Sequence, residues 1–309
     1  LFPYTTLFRS NPNSWASSFL TYRNIFYFRY AYLWQVLRFR LKMVSSCTFK
    51  VETTKINNSL LITKETIASF STMTMKDLFG KAILDYQTNN APEDLITETS
   101  ISEEDAMSVA YLFRNFDEMP KLEQRALQLA KGKILDVGCG AGSHSLYLQN
   151  ILGLDVTAID ISENAIKACE LRGVKKTKVQ DVTTLENETF DTILLLMNGA
   201  GMCGKLKNIS KFLLKLKSLL NENGQILLDS SDIIYMFDED EDGGKWIPSV
   251  NDYYGEVVFT VSYKGEKEKP FNWMYIDYNT LQNAAIQNGL KCELILEGEH
   301  YDYLAKLFV

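Results

Sequence analysis

The sequence predicts an α/β fold, an open and mostly parallel sheet with helices on both faces and an antiparallel last strand. Three observations carry that expectation. From Lys133 onward, apolar runs of strand length alternate regularly with segments of helical length, the pattern of repeated βαβ units. Those strand segments lack polar alternation, FDTILLLM most clearly, as strands covered on both faces do. The first run also passes through three glycines, in ILDVGCGAGSHS (134–145), straight into a helical segment.

Taken in order, MKDLFGKAILDYQ reads as a helix with Leu78, Phe79, Ile83 and Leu84 on one face. APEDLITETS reads as an acidic, proline-marked linker. ISEEDAMSVAYLF reads as a second helical stretch, opened by Ser102 and Asp105 in an approximate capping-box relation. After Pro120, KLEQRALQLAKG makes one more helix ending at Gly132. Residues 73–132 are therefore expected to form an N-terminal helical lid across the carboxyl edge of the sheet.

The main domain is expected over 133–309. KILDV, DVTAID, a short TKVQD and the apolar FDTILLLM are strands, separated by the helices SHSLYLQNIL and ENAIKACELR, the latter closing on Gly173. LKNISKFLLKLKSLL is a helix with Gly224 just past its end, and QILLDS is the next strand. FDEDEDGG is a solvated acidic loop. EVVFTVSYKGEKEKPFNWMYID reads as a hairpin inserted at about 255–278, its arms joined by the turn-rich KGEKEKP. NTLQNAAIQNG is a helix capped by Thr280 or Asn279. CELILEG and DYLAKLFV close the chain as two strands joined by a short turn, hence antiparallel.

Charge divides the chain. Residues 1–72 hold 9 Lys and Arg against 2 Asp and Glu, whereas residues 73–309 carry a net charge of −14. The opening LFPYTTLFRS resembles a translated sequencing adapter, and the segment 1–72 is expected to be a non-native or disordered extension, with Met73 or Met75 as the natural start. Arg23, Arg29, Arg38 and Arg40 interrupt any apolar run of membrane-spanning length there. The acidic body has no electrostatic reason to seek nucleic-acid phosphates. Five cysteines without a CxxC or a zinc-like pairing with histidine suit a reduced, cytoplasmic protein without a structural metal.

A dinucleotide fingerprint needs its third glycine at position 143, which is Ser143. The glycines stand instead at Gly138, Gly140 and Gly142, preceded by Asp136. Together with Asp160 ending VTAID, Asp181 ending VQD and Asn198 after FDTILLLM, this stretch resembles the class I S-adenosylmethionine-dependent methyltransferases, of a bacterial type with undefined substrate. The resemblance covers about Lys133 to Asp232, and it implies a Rossmann-like sheet with S-adenosylmethionine as cofactor. In that family the acid at Asp160 accepts both ribose hydroxyls, each charged hydrogen bond contributing about 1.5–3 kcal/mol. The acid at Asp181 meets the adenine amino group. The implied cofactor set is Asp136, Gly138, Cys139, Gly140, Gly142, Asp160, Ile161, Asp181, Val182, Met197 and Asn198. S-adenosylmethionine carries no phosphate, so glycines here let the backbone approach the methionine portion while the next helix offers N–H groups to its carboxylate. Arg114 could reach that carboxylate, though a solvated surface arginine is the favoured reading.

The acceptor is less defined. NGAG after the fourth strand lacks the prolines and aromatic of base-methylating enzymes, which points to a small-molecule acceptor. His300 with Tyr301 is the favoured catalytic pair, with Asn198 a further candidate, because the terminal turn falls at the carboxyl edge where ligands bind. His144 lies at the same edge. Tyr253, Tyr254, Trp246 and Trp273 could wall a pocket. Three alternatives stay open: a non-catalytic adenosylmethionine-binding module, a protein methyltransferase docking through the hairpin, and a nicotinamide oxidoreductase.

Overall fold

The computed structural model describes residues 76–240, 243–247 and 252–309. The proposed extension 1–72 and the start at Met73 or Met75 lie outside the described residues. Helix α1 (Leu78–Thr88) begins where Asp77 accepts the Gly80 N–H at 3.1 Å and stops at Asn89, which turns left-handed. Its apolar stripe, Leu78, Phe79, Ala82 and Ile83, is buried.

The next two elements depart from the expected lid. LITETS holds a strand, β1 (Leu95–Thr99), and the stretch read as a second helix holds β2 (Ser102–Met107), its antiparallel partner. The Ser102–Asp105 relation is not a capping box. Leu95 and Thr97 alternate inward, and a strand from the far end of the chain pairs with them, Ile96 opposite Ser262. Tertiary pairing overrides the helical propensity of SEEDAM, as it commonly does. The helical part of this stretch is a 3-10 turn at Val109–Phe113, followed by a second at Phe116–Glu118 and helix α2 (Lys121–Leu129).

The alternating region follows as expected: β3 (Lys133–Val137), α3 (Ser143–Asn150), β4 (Asp155–Asp160), α4 (Glu163–Arg172), β5 (Thr177–Val179) and β6 (Phe190–Leu195). Helix α5 (Ile209–Ser218) ends earlier than predicted, and β7 (Leu220–Ser231) begins almost at once. Gly224 is therefore inside β7, not just past a helix. The register of β6 on β7 shifts there, Asn223 is left-handed at φ 61°, and a Cβ on Gly224 would lie 2.9 Å from the Asn221 carbonyl. This is a bulge that only glycine fills without strain.

The inserted hairpin is β8 (Glu256–Tyr263) and β10 (Phe271–Met274), with the two-residue β9 (Glu266–Lys267) at its turn. Helix α6 (Tyr278–Gln287) is capped by Asp277, which accepts the Thr280 N–H at 2.9 Å, so neither Thr280 nor Asn279 is the cap. Strands β11 (Lys291–Glu297) and β12 (Asp302–Phe308) complete the chain.

Two sheets result. The larger has the order β11-β12-β7-β6-β3-β4-β5, parallel from β7 to β5, with β12 antiparallel to β7 and β11 antiparallel to β12. Its two faces are separate cores. Ile134, Leu194, Leu196, Leu227 and Leu304 pack with Leu122, Leu127 and Leu148 of α2 and α3. Leu135, Ile193, Leu195, Ile226 and Leu228 pack with Phe212, Leu213, Leu216 and Leu281 of α5 and α6. The smaller sheet, β10-β8-β1-β2 with β9 on β8, is antiparallel. It joins Val257, Phe259, Tyr263 and Trp273 to the buried stripe of α1 and to Ala141, Ala165 and Met197 of the larger unit. Among the described residues no helix is long and apolar enough to cross a membrane.

Candidate functional site

The glycine turn between β3 and α3 lies at the carboxyl edge of the parallel sheet, where open α/β folds bind ligands. Gly138, Gly140 and Gly142 all have positive φ, at 68°, 52° and 79°. The Gly138 and Cys139 N–H groups donate to the Ile159 carbonyl at 2.8 and 3.0 Å, tying the turn to the end of β4. Gly142 has a second reason to be glycine, because a Cβ there would sit 2.9 Å from Cys169 Sγ and 3.0 Å from Val174 Cγ2. Cys139 is buried, its thiol pushed well above the usual range by the neighbouring Cys169 thiol and by burial. It packs against Cys169 rather than acting as a nucleophile.

Asp160 is buried and accepts the Gly140 N–H on one oxygen at 3.0 Å and the Ser162 N–H on the other at 2.9 Å. Burial outweighs those bonds and raises its carboxyl to about 6, with the Asp77 charge adding to the rise. Asp77 itself reaches this corner, accepting from Ser162 Oγ and Asn164 Nδ2 at 2.9 Å each, so the start of α1 is pinned to the start of α4 beside the acid. Asp136 is buried as well, takes the Ser145 hydroxyl at 2.6 Å, and is likewise raised by burial. Ile161 is half-buried and Val182 buried, next to Asp181. Asp181 is exposed and caps the short turn Val182–Thr184 through the Thr183 N–H at 2.8 Å.

Met197 and Asn198 follow β6 with φ 61° each, two consecutive left-handed residues. Such conformations cost about 1–3 kcal/mol apiece and persist where the surroundings enforce them. The enforcing group is Asp229 of β7, which accepts the Asn198 N–H at 2.7 Å. Burial and the Glu123 charge raise Asp229 to about 7, and its second oxygen has no partner among the described residues. Asn198 is fully buried, with its amide donating to the Met274 carbonyl at 3.2 Å and accepting the Ser230 hydroxyl at 2.7 Å. Those bonds make it a joint between the two sheets.

A narrow cleft opens beside the turn, lined by Leu112, Arg114, Asp136, Gly138, Cys139, Ser143, His144 and Met197 among others. Arg114 is not the solvated surface arginine favoured from sequence. It is 7% exposed, pairs with the wholly buried Glu123, and packs over the Tyr111 ring at 4.0 Å. His144 Nε2 lies 2.7 Å from Glu123 Oε2. Hydrogen bonds from His144 and the Arg114 charge overcome the burial of Glu123 and hold its carboxyl below the usual range, so it is ionised. Glu123 went unrecognised in the sequence because its partners lie on other elements, with nothing in KLEQRAL to mark it.

The terminal turn is arranged differently. His300 is exposed, and Tyr301 is 62% exposed and stacks on Tyr235 at 4.8 Å. His300 lines a second cleft, with Asp117, Lys121 and Glu297, rather than the one holding Asp136. Of the aromatics expected to wall a pocket, Trp273 is buried in the smaller sheet and Trp246 is exposed. Tyr253 and Tyr254 bond Asp277 and Asp232 at 2.7 and 2.8 Å.

The described geometry has counterparts among known proteins. Residues 135–228 match the family model of a methyltransferase domain. An S-adenosylmethionine-dependent methyltransferase from Bacteroides fragilis, solved with S-adenosyl-L-homocysteine, is 45% identical, with a TM-score of 0.70. That alignment takes in 77% of this chain and 99% of the other. A ubiquinone biosynthesis O-methyltransferase from Xanthomonas oryzae is 33% identical over 75 residues, 22% of this chain and 31% of that protein. Ribosomal RNA small subunit methyltransferase C from a Marinomonas strain is 28% identical over 114 residues, 34% of this chain and 32% of that protein. The chain thus spans about a third of the length of these curated relatives.

Proposed function

The chain belongs to the S-adenosylmethionine-dependent methyltransferases, and from that premise we propose that it methylates a small-molecule acceptor. The observation that carries this reading is the glycine turn bonded to a buried carboxylate at the end of β4. The residues present suit the cofactor. Positive-φ glycines place no Cβ between the turn's backbone and a ligand, Asp160 offers a carboxylate to the ribose, and Asp136 a carboxylate to the ammonium. When bound, the cofactor supplies an activated methyl group on its sulfonium, and transfer by in-line displacement needs alignment above all.

In this reading the chain's own residues bind and orient. Val182 and Ile161 flank the adenosine region, Met197 floors the methionine region, and α1 covers Ala141 of the turn. The small acceptor approaches from the neighbouring cleft, whose lining of Tyr111, Asp117, Glu118, Lys121, Glu297 and His300 mixes aromatic, acidic and basic groups. Calorimetric titration with S-adenosylhomocysteine and with NADH tests the cofactor. Binding of the first and not the second is expected, and the reverse result overturns the proposal. Methyl-labelled S-adenosylmethionine offered with a metabolite extract, and separately with cell protein, tests the acceptor; label confined to protein would reassign it.

A further inference from the structure

His144 is the second residue of α3 and lines the cleft that holds Asp136, Gly138 and Met197. Its Nε2 lies 2.7 Å from Glu123 Oε2, the imidazole's only hydrogen bond among the described residues. Glu123 is wholly buried and ionised, and an ionised carboxylate can only accept. Nε2 therefore carries a hydrogen, and in the neutral ring Nδ1 is left with a lone pair and no donor. The side chain is 11% exposed and lines the cleft, within reach of a ligand and of water. Around the ring stand Glu123 of α2, Arg114 ahead of that helix, Asp136 of β3 and Asp229 of β7. A proton arriving on Nδ1 makes an imidazolium beside the Glu123 carboxylate; Arg114 opposes that charge, and Asp136 and Asp229 favour it.

We infer that His144 is the proton acceptor in methyl transfer to a hydroxyl group, with Glu123 as its positioning residue. The inference rests on the cofactor reading given above and narrows its acceptor to an alcohol or a phenol. A neutral amine attacks with its own lone pair, whereas a hydroxyl gains nucleophilicity as a base removes its proton. An imidazole held by a buried carboxylate suits that second task. As the acceptor oxygen bonds the methyl carbon, the electron pair of the broken carbon–sulfur bond stays on sulfur and the hydroxyl proton passes to Nδ1. The products are a methyl ether, S-adenosylhomocysteine and an imidazolium, which returns its proton to solvent. The neighbouring cleft begins at Tyr111, whose ring carries Arg114 at 4.0 Å, so an acceptor lodged there lies one stacked pair from the Glu123 cluster.

The first measurement needs no acceptor. Nitrogen NMR of the full chain should show His144 as the Nε2–H tautomer with a bare Nδ1. His300 is the only other histidine in the chain, so His144→Gln assigns the signals. An Nδ1–H tautomer overturns the inference. The second measurement offers methyl-labelled S-adenosylmethionine with a metabolite extract and identifies the products by mass spectrometry. Label is expected on hydroxyl oxygens, at a single-turnover rate that rises with pH to a plateau. Glutamine at 144 keeps an N–H for Glu123 and cannot take a proton, so His144→Gln should slow transfer by about 100-fold or more and flatten the pH profile. S-adenosylhomocysteine affinity of the same variant should stay within about threefold, which separates a lost base from a damaged cofactor site. Label confined to amine nitrogens, or transfer by the variant at the wild-type rate, overturns the inference. If S-adenosylhomocysteine binds but the extract yields no labelled product, the small-molecule reading fails and the tautomer alone decides the state of the dyad. A wild type that does not bind S-adenosylhomocysteine counts against the cofactor reading itself.

Discussion

The two sheets solve the same problem of burying apolar strands in different ways. In the larger one, neighbours β3 and β4, β4 and β5, β6 and β7, and β11 and β12 are also successive strands of that sheet in the chain, and only the pairs β3 with β6 and β7 with β12 skip over other elements. In the smaller one, β1 finds its second partner in β8, with Ile96 opposite Ser262. The larger sheet carries the glycine turn and both buried acids. The smaller sheet meets that machinery through α1 and the Trp273 region, where a Cβ on Gly201 would sit 2.1 Å from the indole. A ligand site built on local connections is thereby braced by a unit that must assemble from distant pieces. Folding of the brace pays a loop-closure entropy that the site itself avoids.

Trp273→Ala should break this arrangement most severely. The indole is 1% exposed, and truncation of such a side chain costs about 3–5 kcal/mol. The expected result is a lower and broader melt in which β1, β2, β8 and β10 lose hydrogen-exchange protection before the larger sheet does. Simultaneous loss in both sheets would mean that the two are one cooperative unit.

Asp229→Asn should act in the opposite direction. The folded-state carboxyl stands at about 7, above an unfolded value near 3.9, so folding takes up a proton between these limits. Stability of the wild type therefore falls as pH rises from about 4 to 7 and levels off above that. Asparagine keeps an oxygen for the Asn198 N–H and removes the buried charge, a gain on the order of a few kcal/mol at pH 8. The gap in melting temperature between variant and wild type should be small at pH 4.5 and largest above pH 7. A pH-independent gap would contradict the assignment of that charge.

Asp160→Asn should sharpen the contrast by striking the site while sparing both sheets. S-adenosylhomocysteine affinity should fall by about 10- to 100-fold with no loss of thermal stability. In the wild type, affinity should also drop as pH falls through about 6, because the ribose hydroxyls donate to the ionised form and protonation removes it. Titrations at pH 7.5 and 5.0 measure both effects. Asp277→Ala gives the smallest change, loss of the α6 cap costing about 1 kcal/mol. It should leave cofactor affinity where it was, since α6 packs on the face of the sheet away from the cleft.

The same contrast explains what could be read in advance. The strand and helix succession from Lys133 to Asp232, the antiparallel end and the hairpin arms were legible because each announces itself within a dozen residues. Asp136, Asp160 and the three glycines, whose spacing is local, come together at one edge of the sheet. LITET was misread as linker because its second partner lies beyond residue 255, and SEEDAM as helix because it becomes a strand only as the edge partner of LITET. Gly224 was placed just past a helix because a bulge depends on the neighbouring strand's register. His300 and His144 were both placed at the same sheet edge, and His300 with Tyr301 was favoured there. The structure distinguishes them by a buried carboxylate at residue 123, a relation with no trace in either local sequence. Arg114 was placed at the surface for the same reason.

The outer strands of the larger sheet have a consequence of their own. At one rim stands β5, only three residues long. At the other stands β11, which spaces Lys291, Glu293 and Glu297 as exposed charges along its length. A stubby margin and a charged one both discourage another strand from docking. Both ends of the larger sheet thereby resist extension of its ladder by a further strand.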